Sequence, residues 1–310
     1  MKKQIQHLPS YKNFQIDVLR LDLIHPFYGG NKYFKLKYNV LKAMEGHAST
    51  SLSNPPQILT FGGAHSNHIY STAAYCHEQK IRAIGVIRGE ESMIANSPTL
   101  QFAQKQGMHL HFISREKYRN KTNADLLIEL KEEFGDFYMI PEGGNNDEGI
   151  KGCLEILNDV PFYDYIFCAC GTACTYTGIL ASAKPGQIII GVSVLKGENV
   201  LLTEVNKVAE KYNFEKIEPH ISGGIKSSTI LDHFHFGGYA KHDQKLLDFK
   251  SKFELENKIP LDYIYTAKLF YAVYDLIDKS LIEPNKKVLI IHSGGQQGNE
   301  GYEERYKINT

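Results

Sequence analysis

Net charge is the first thing this chain lacks. Its 35 Lys and Arg residues balance 35 Asp and Glu, so it carries no basic footprint for nucleic acid or an anionic membrane surface. No apolar run reaches the ~18 residues of a spanning helix. The opening MKKQIQHLPSYKNF has two lysines but not the apolar stretch of a secretory signal. The cytoplasm is therefore the expected compartment. Paired cysteines are missing too: Cys76, Cys153, Cys168, Cys170 and Cys174 are odd in number and contain no C-x-x-C. That speaks against a zinc site and predicts buried, reduced thiols, and no metal is expected. No repeat period is present either, which excludes solenoids and propellers.

What is present is an alternation of apolar runs and helix-like segments over 310 residues, long enough for one large domain or two moderate ones. QILTF (57–61), RAIGVI (82–87), HLHFI (109–113), FYMI (137–140), YIFCAC (165–170), IIIGVSV (188–194) and KVLIIH (287–292) read as buried strands. NHIYSTAAYCHEQK, TNADLLIELKEEF and ENVLLTEVNKVAEKY have helical spacing. This order predicts an α/β protein with parallel sheets flanked by helices. HASTSLSNPPQ (47–57) and PEGGNND (141–147) look like internal seams. They suggest a smaller α/β domain, 51–141, inserted in a larger one made of 1–50 and 142–310. A ligand is expected in the cleft between them.

Four short stretches could carry chemistry. In YGGNKYFKLKYN a helix is expected to open on Lys32, behind Gly29-Gly30-Asn31. CACGTACTYTGIL runs from a strand through Gly171, Thr172, Ala173, Cys174 and Thr175 into a helix. Its small residues would let backbone N–H groups and a helix N-terminus face an anion. It lacks a P-loop lysine and does not fit G-x-G-x-x-G, so a single phosphate suits it better than a nucleotide. LTFGGAHSNHIYSTAA places Ser66 and Asn67 at a helix start, as ordinary caps or as groups aimed at a ligand. IIHSGGQQGN ends the last strand at His292-Ser293-Gly294-Gly295. A lysine amine beside a monophosphate cradle and polar strand ends is the set needed to bind a phosphate-bearing aldehyde, and pyridoxal phosphate is the natural candidate.

Six motifs in order, GGNKYFKLKY, GGAHSNH, IPEGGNN, CGTACTYTG, YTAK and IHSGGQQG, resemble those of the 1-aminocyclopropane-1-carboxylate deaminase and D-cysteine desulfhydrase family of pyridoxal phosphate enzymes. The likeness runs from about residue 15 to residue 300. It implies fold type II: two open, twisted, mostly parallel sheets flanked by helices, in a homodimer. By this resemblance Lys32 forms the Schiff base, Lys35 and the backbone of Gly171 to Thr175 bind the phosphate, Asn67 meets the phenolic oxygen, and Ser293 faces the pyridine nitrogen. Ser66, Asn67, His68, Tyr239, Tyr265 and Thr266 would line the amino-acid substrate site, with Ser66 near the carboxylate. Lys32, Ser66 and Tyr265 would be catalytic. Lys268 reads instead as part of a solvated helix face.

Two positions divide the family. The deaminase side carries a glutamate after the tyrosine of Y-x-G-K and a leucine in H-L-G-G, whereas the desulfhydrase side carries Ser or Thr at both. With Thr266 and Ser293 this chain resembles the latter. Ala267, Ala173, Cys174 and the QQGN segment depart from the usual pattern and alter loop shape. The expected reaction is α,β-elimination on a D-amino acid, D-cysteine giving pyruvate, ammonia and hydrogen sulfide. The alternatives are ring-opening deamination to 2-oxobutyrate and ammonia, and a binding protein without turnover.

Overall fold

A computed structural model describes residues 3–48, 56–197, 199–220 and 223–308. The strands are β1 (Gln4–His7), β2 (Gln15–Arg20), β3 (Gln57–Gly62), β4 (Arg82–Arg88), β5 (His109–Ile113), β6 (Tyr138–Ile140), β7 (Tyr165–Cys170), β8 (Ile188–Ser193), β9 (Thr229–Leu231) and β10 (Lys287–His292). The helices are α1 (Asn31–Ala48), α2 (Asn67–Glu78), α3 (Pro98–Lys105), α4 (Arg115–Arg119), α5 (Ala124–Phe134), α6 (Asp147–Cys153), α7 (Ala173–Ala181), α8 (Val200–Asn206), α9 (Gln244–Asn257), α10 (Thr266–Asp278) and α11 (Asn299–Tyr306). They form two compact units, Met1–Phe34 with Ile150–Gln296, and Lys35–Gly149 with Gln297–Thr310.

The first unit holds a sheet in the order β1-β2-β10-β7-β8-β9, parallel except for β1, which runs antiparallel to β2. Successive strand residues point to opposite faces. Thus Phe167, Ile190, Val288 and Ile290 join one core, while Ile166, Ile189, Leu289 and Ile291 join the other. Helices cover both faces, so these strands read as continuous apolar runs rather than alternations. The second unit repeats the logic with an all-parallel sheet, β5-β4-β3-β6. Ile58 faces one core and Leu59 the other. Each such side chain contributes about 1.5–3 kcal/mol by leaving water.

All seven expected strands are present, and β1, β2 and β9 are additional. Polar residues hide β2: buried Asp17 accepts from Tyr163 Oη (2.7 Å), His7 Nδ1 (2.7 Å) and Gln15 Nε2 (3.0 Å). The expected helix through ENVLLTEVNKVAEKY is shorter than its pattern. α8 ends at Asn206, whose side chain bonds both the N–H (2.9 Å) and the carbonyl (2.8 Å) of Ile217, and turns follow. Most of the HASTSLSNPPQ seam lies outside the described residues. The five cysteines are buried and unpaired as disulfides, and burial pushes the Cys76 thiol up to about 12, far from the reactive range. Among the described residues no helix is long and apolar enough to cross a membrane.

Candidate active site

Lys32 is the second residue of α1 and is partly buried. The turn before it is tight because Gly30 N–H donates to Leu21 O at 2.7 Å. Gly30 itself has φ +76°, and a Cβ there would lie 2.0 Å from Ser293 O. Only glycine meets both conditions. Asn31 then anchors the helix start in two directions: its N–H donates to Ser293 O (3.2 Å) and its Nδ2 to Thr175 Oγ1 (2.9 Å). One residue before the lysine therefore ties together the loop after β10 and the turn after β7.

That turn enters α7 through Gly171 and Thr172, which is extended at φ −132°, ψ 162°. A Cβ on Gly171 would come within 2.8 Å of Tyr265 Cε1, so the tyrosine ring lies against the glycine backbone. Ala173, Cys174 and Thr175 are buried. The first turn of α7 holds no acidic side chain, so nothing there opposes an anion at the N-terminus.

Ser293, partly exposed, follows an anchored histidine. Fully buried His292 donates from Nε2 to Pro260 O (2.8 Å), and its Nδ1 lies 3.2 Å from Asp22 Oδ1 and 3.3 Å from Gly294 N. Arg20 reaches both Asp22 oxygens, at 2.9 and 2.7 Å. Burial alone would raise the Asp22 carboxyl, but hydrogen bonds from His292 and Arg20 hold it well below the usual carboxylate range.

Tyr265 is the N-cap of α10. The capping oxygens come from Asp262, which accepts from Ile264 N (2.9 Å), Tyr265 N (2.9 Å) and Thr266 N (2.8 Å). Thr266 is fully buried, and its hydroxyl donates to Asp262 Oδ1 at 2.7 Å. Tyr265 Oη lies 3.5 Å from Tyr239 Oη, with the rings edge to face. Lys268 differs from the expectation of a solvated face. It is fully buried and donates to His235 O (2.8 Å) and Gly238 O (2.9 Å). The helix pattern could not reveal this, because those carbonyls come from a distant loop.

In the second unit Ser66 caps α2, accepting from Ile69 N at 3.3 Å. Next to it, Asn67 Oδ1 is buried with no hydrogen-bond partner among the described residues. His68 is buried with Nε2 2.8 Å from Thr60 Oγ1, which donates to Ile140 O at 2.7 Å. Because the Thr60 hydroxyl donates to Ile140, His68 donates to that hydroxyl from Nε2. Lys35 is buried and donates to Gly143 O at 3.1 Å. Asn39 and Asn146 exchange amide bonds of 3.1 and 2.7 Å, which fixes α1 to the glycine turn that Lys35 grips.

Residues 7–294 match the family of pyridoxal-phosphate dependent enzymes. The chain belongs to that family. A bifunctional D-cysteine desulfhydrase/1-aminocyclopropane-1-carboxylate deaminase from Arabidopsis thaliana is 26% identical, over 94% of this chain and 75% of that protein. A putative 1-aminocyclopropane-1-carboxylate deaminase from Pyrococcus abyssi is 28% identical over 95% and 89%. D-cysteine desulfhydrase from Yersinia enterocolitica is 21% identical over 94% and 90%. Among solved structures, an ACC deaminase homologue superposes with a TM-score of 0.81 at 24% identity, covering 98% of this chain and 93% of the other. The two mostly parallel sheets are those of fold type II, as expected.

The residues present suit pyridoxal phosphate. Asn67 offers a buried oxygen without a partner among the described residues, the first turn of α7 is free of acidic side chains, and the loop after β10 is bonded directly to the turn that carries a lysine. Sequence reasoning missed Asn31, Asp262, Asp22 and the burial of Lys268. GGNK did point at Asn31, but a signal for its two partners exists only in the fold.

Proposed function

We propose that this pyridoxal-phosphate-dependent enzyme is a lyase that catalyses α,β-elimination on a D-amino acid, most simply D-cysteine: D-cysteine and water give pyruvate, ammonia and hydrogen sulfide. In this reading Lys32 holds the cofactor aldehyde. Lys35 and the backbone of Gly171 to Thr175 hold its phosphate, Asn67 its phenolic oxygen and Ser293 its pyridine nitrogen. When bound, the group supplies an electron sink for negative charge at the substrate α-carbon.

The other steps belong to the chain. Lys32 Nζ takes the α proton. Ser66 uses one lone pair to cap α2, which leaves its hydroxyl proton for a substrate carboxylate. Tyr265, held by the Asp262 cap and flush against Gly171, serves the leaving group with Tyr239 beside it. Thr266 acts through that cap, since its hydroxyl is bonded to Asp262. His68, its ring held by Thr60, belongs to the same proposed substrate lining. A cytoplasmic homodimer is part of the same proposal and rests on the resemblance.

The observation that carries this reading is the bond from Asn31 N–H to Ser293 O. It fixes an uncharged serine, not a carboxylate, one residue from the lysine turn. A neutral hydroxyl supports a weaker electron sink, which suffices for expelling a thiolate. The name of the Pyrococcus relative favours a second reading, 1-aminocyclopropane-1-carboxylate deamination to 2-oxobutyrate and ammonia, while that of the Arabidopsis relative carries both activities. Product analysis separates the two. Hydrogen sulfide and pyruvate are expected from D-cysteine, with no 2-oxobutyrate from the cyclopropane amino acid; the reverse pattern overturns the proposal.

A further inference from the structure

The loop DHFHFGGYAKHD, residues 232–243, is held in a conformation that its own residues disfavour. Phe236 and Ala240 have φ of 52° and 53°, and Gly237 and Gly238 have 92° and 122°. A bulky aromatic at positive φ is a genuine outlier that persists only where the surroundings impose it. Two features of α10 impose it here. Tyr271 receives the Phe236 ring edge to face, with centroids 5.0 Å apart. One turn N-terminal of it, Lys268 Nζ grips the carbonyls of His235 and Gly238, which bracket Phe236 and Gly237. The lysine is 0% exposed. Its ammonium lies near the N-terminal end of α10, where the helix dipole opposes a cation. Burial pushes its pKa down to about 8, with Asp262 acting in the other direction. A group placed at such cost has a structural task, and the residue directly after its second carbonyl is Tyr239, 48% exposed.

We propose that Lys268 is a positioning residue that holds residues 235–238 in their strained form and so places the Tyr239 hydroxyl at Tyr265, on the substrate side of the site. The proposal rests on the reading of Tyr239 and Tyr265 as substrate-facing, and extends it: substrate choice is set partly by a loop under tension from a buried lysine that touches no substrate. The ammonium is suited to this work because its donors can satisfy two carbonyls that diverge by three residues. A methionine would fill the same space and satisfy neither.

The experiment compares wild type with Lys268→Met, Tyr239→Phe, the double variant, and Gly238→Ala, all as holoenzyme. Gly238→Ala keeps the lysine but forbids the backbone it grips, and it stands in if Lys268→Met fails to fold. Trypsin cleavage at exposed Lys241 is expected to accelerate about tenfold in Lys268→Met and Gly238→Ala, and not in Tyr239→Phe. The KM for D-cysteine is expected to rise about tenfold in both loop variants with kcat within about twofold, and the double variant should exceed neither of its single parents. Equal cleavage rates in wild type and both loop variants overturn the clasp. Faster cleavage with an unchanged KM, in these variants and in Tyr239→Phe, leaves the clasp standing and overturns the substrate-facing reading on which the rest depends.

Discussion

α2 and α7 begin in nearly the same way in sequence, each after a buried strand that ends in glycine and small polar residues. The fold uses them differently. At α2 the serine is consumed locally: Ser66 accepts from Ile69 N, and what remains is the neighbouring amide of Asn67, with a buried oxygen lacking a partner among the described residues. At α7 the polar side chain serves another element, Thr175 Oγ1 receiving Asn31 Nδ2. The N-terminus itself has no acidic neighbour in its first turn. A third start, that of α10, is different again: the Asp262 carboxylate occupies it and a buried ammonium follows one turn later. An anion has reason to approach a start of the α7 kind rather than that of α10, where a carboxylate already neutralises the N-terminus. Glycine content does not distinguish α2 from α7, and α10 has no glycine before it; what the side chains bond separates all three.

The comparison breaks most completely if turnover survives without the amine that both junctions would serve. Lys32→Ala leaves α2 and α7 intact. It is expected to lower turnover by about 10³-fold or more and to abolish the visible absorbance of the lysine-bound cofactor. Retained absorbance of that kind would remove Lys32 from its assigned place.

The next test concerns the charged start of α10. Lys268 has a folded pKa of about 8 against 10.5 for the free side chain. Below pH 8 both folded and unfolded chains carry the proton, and the full cost of burying it is present. Between pH 8 and 10.5 the unfolded chain binds more protons than the folded one, so stability rises with pH. The rise is on the order of 3 kcal/mol across the window. Cys76, raised to about 12, works in the opposite direction above pH 9, so the measurement is the difference between wild type and Lys268→Met in denaturant melts. A difference that stays flat with pH would show that burial does not lower the proton affinity of Lys268.

These starts also show what was legible beforehand. Strands such as β7 and β10 could be read because both faces of the sheet are covered, which leaves an unbroken apolar run. β2 could not, since Asp17 and Arg20 are buried in it, Asp17 satisfied by the remote Tyr163 and Arg20 by Gln6 and by Asp22 just beyond the strand. Asn67, Thr172 and Ser293 stood out because they sit at glycine-rich strand ends, and Lys32 because it follows Gly29-Gly30 at a helix start. Lys268 did not, because a lysine is almost never fully buried and its acceptors lie some thirty positions away. Asp262 was invisible for a similar reason: its cap is local, but only the fold shows that it carries Tyr265.

Thr175→Val sharpens the α7 side. It keeps the volume of the buried side chain and removes the acceptor for Asn31 Nδ2. A buried donor left unpaired costs about 1–3 kcal/mol, which should appear as a lower melting midpoint. Because Asn31 also holds Ser293 O, cofactor affinity should fall together with stability. A variant that loses stability but binds the cofactor unchanged would mean that the two loops are held independently of Asn31.

The smallest effects separate neighbours at α2. Ser66→Ala removes the cap and should cost about 1 kcal/mol of stability, with a raised KM if the hydroxyl also meets a carboxylate. Asn67→Ala should do the reverse to the apoprotein. It deletes an amide whose buried oxygen has no partner among the described residues and puts the best helix former at the first helical position, so stability should hold or rise by up to about 1 kcal/mol. Cofactor binding and turnover should nevertheless fall. A site built for a ligand carries its unsatisfied groups at some cost to the empty protein, and opposite signs in stability for two adjacent residues are the signature of that arrangement. If Asn67→Ala instead destabilises the apoprotein as Ser66→Ala does, Asn67 is only a second cap, and the difference between the two junctions disappears.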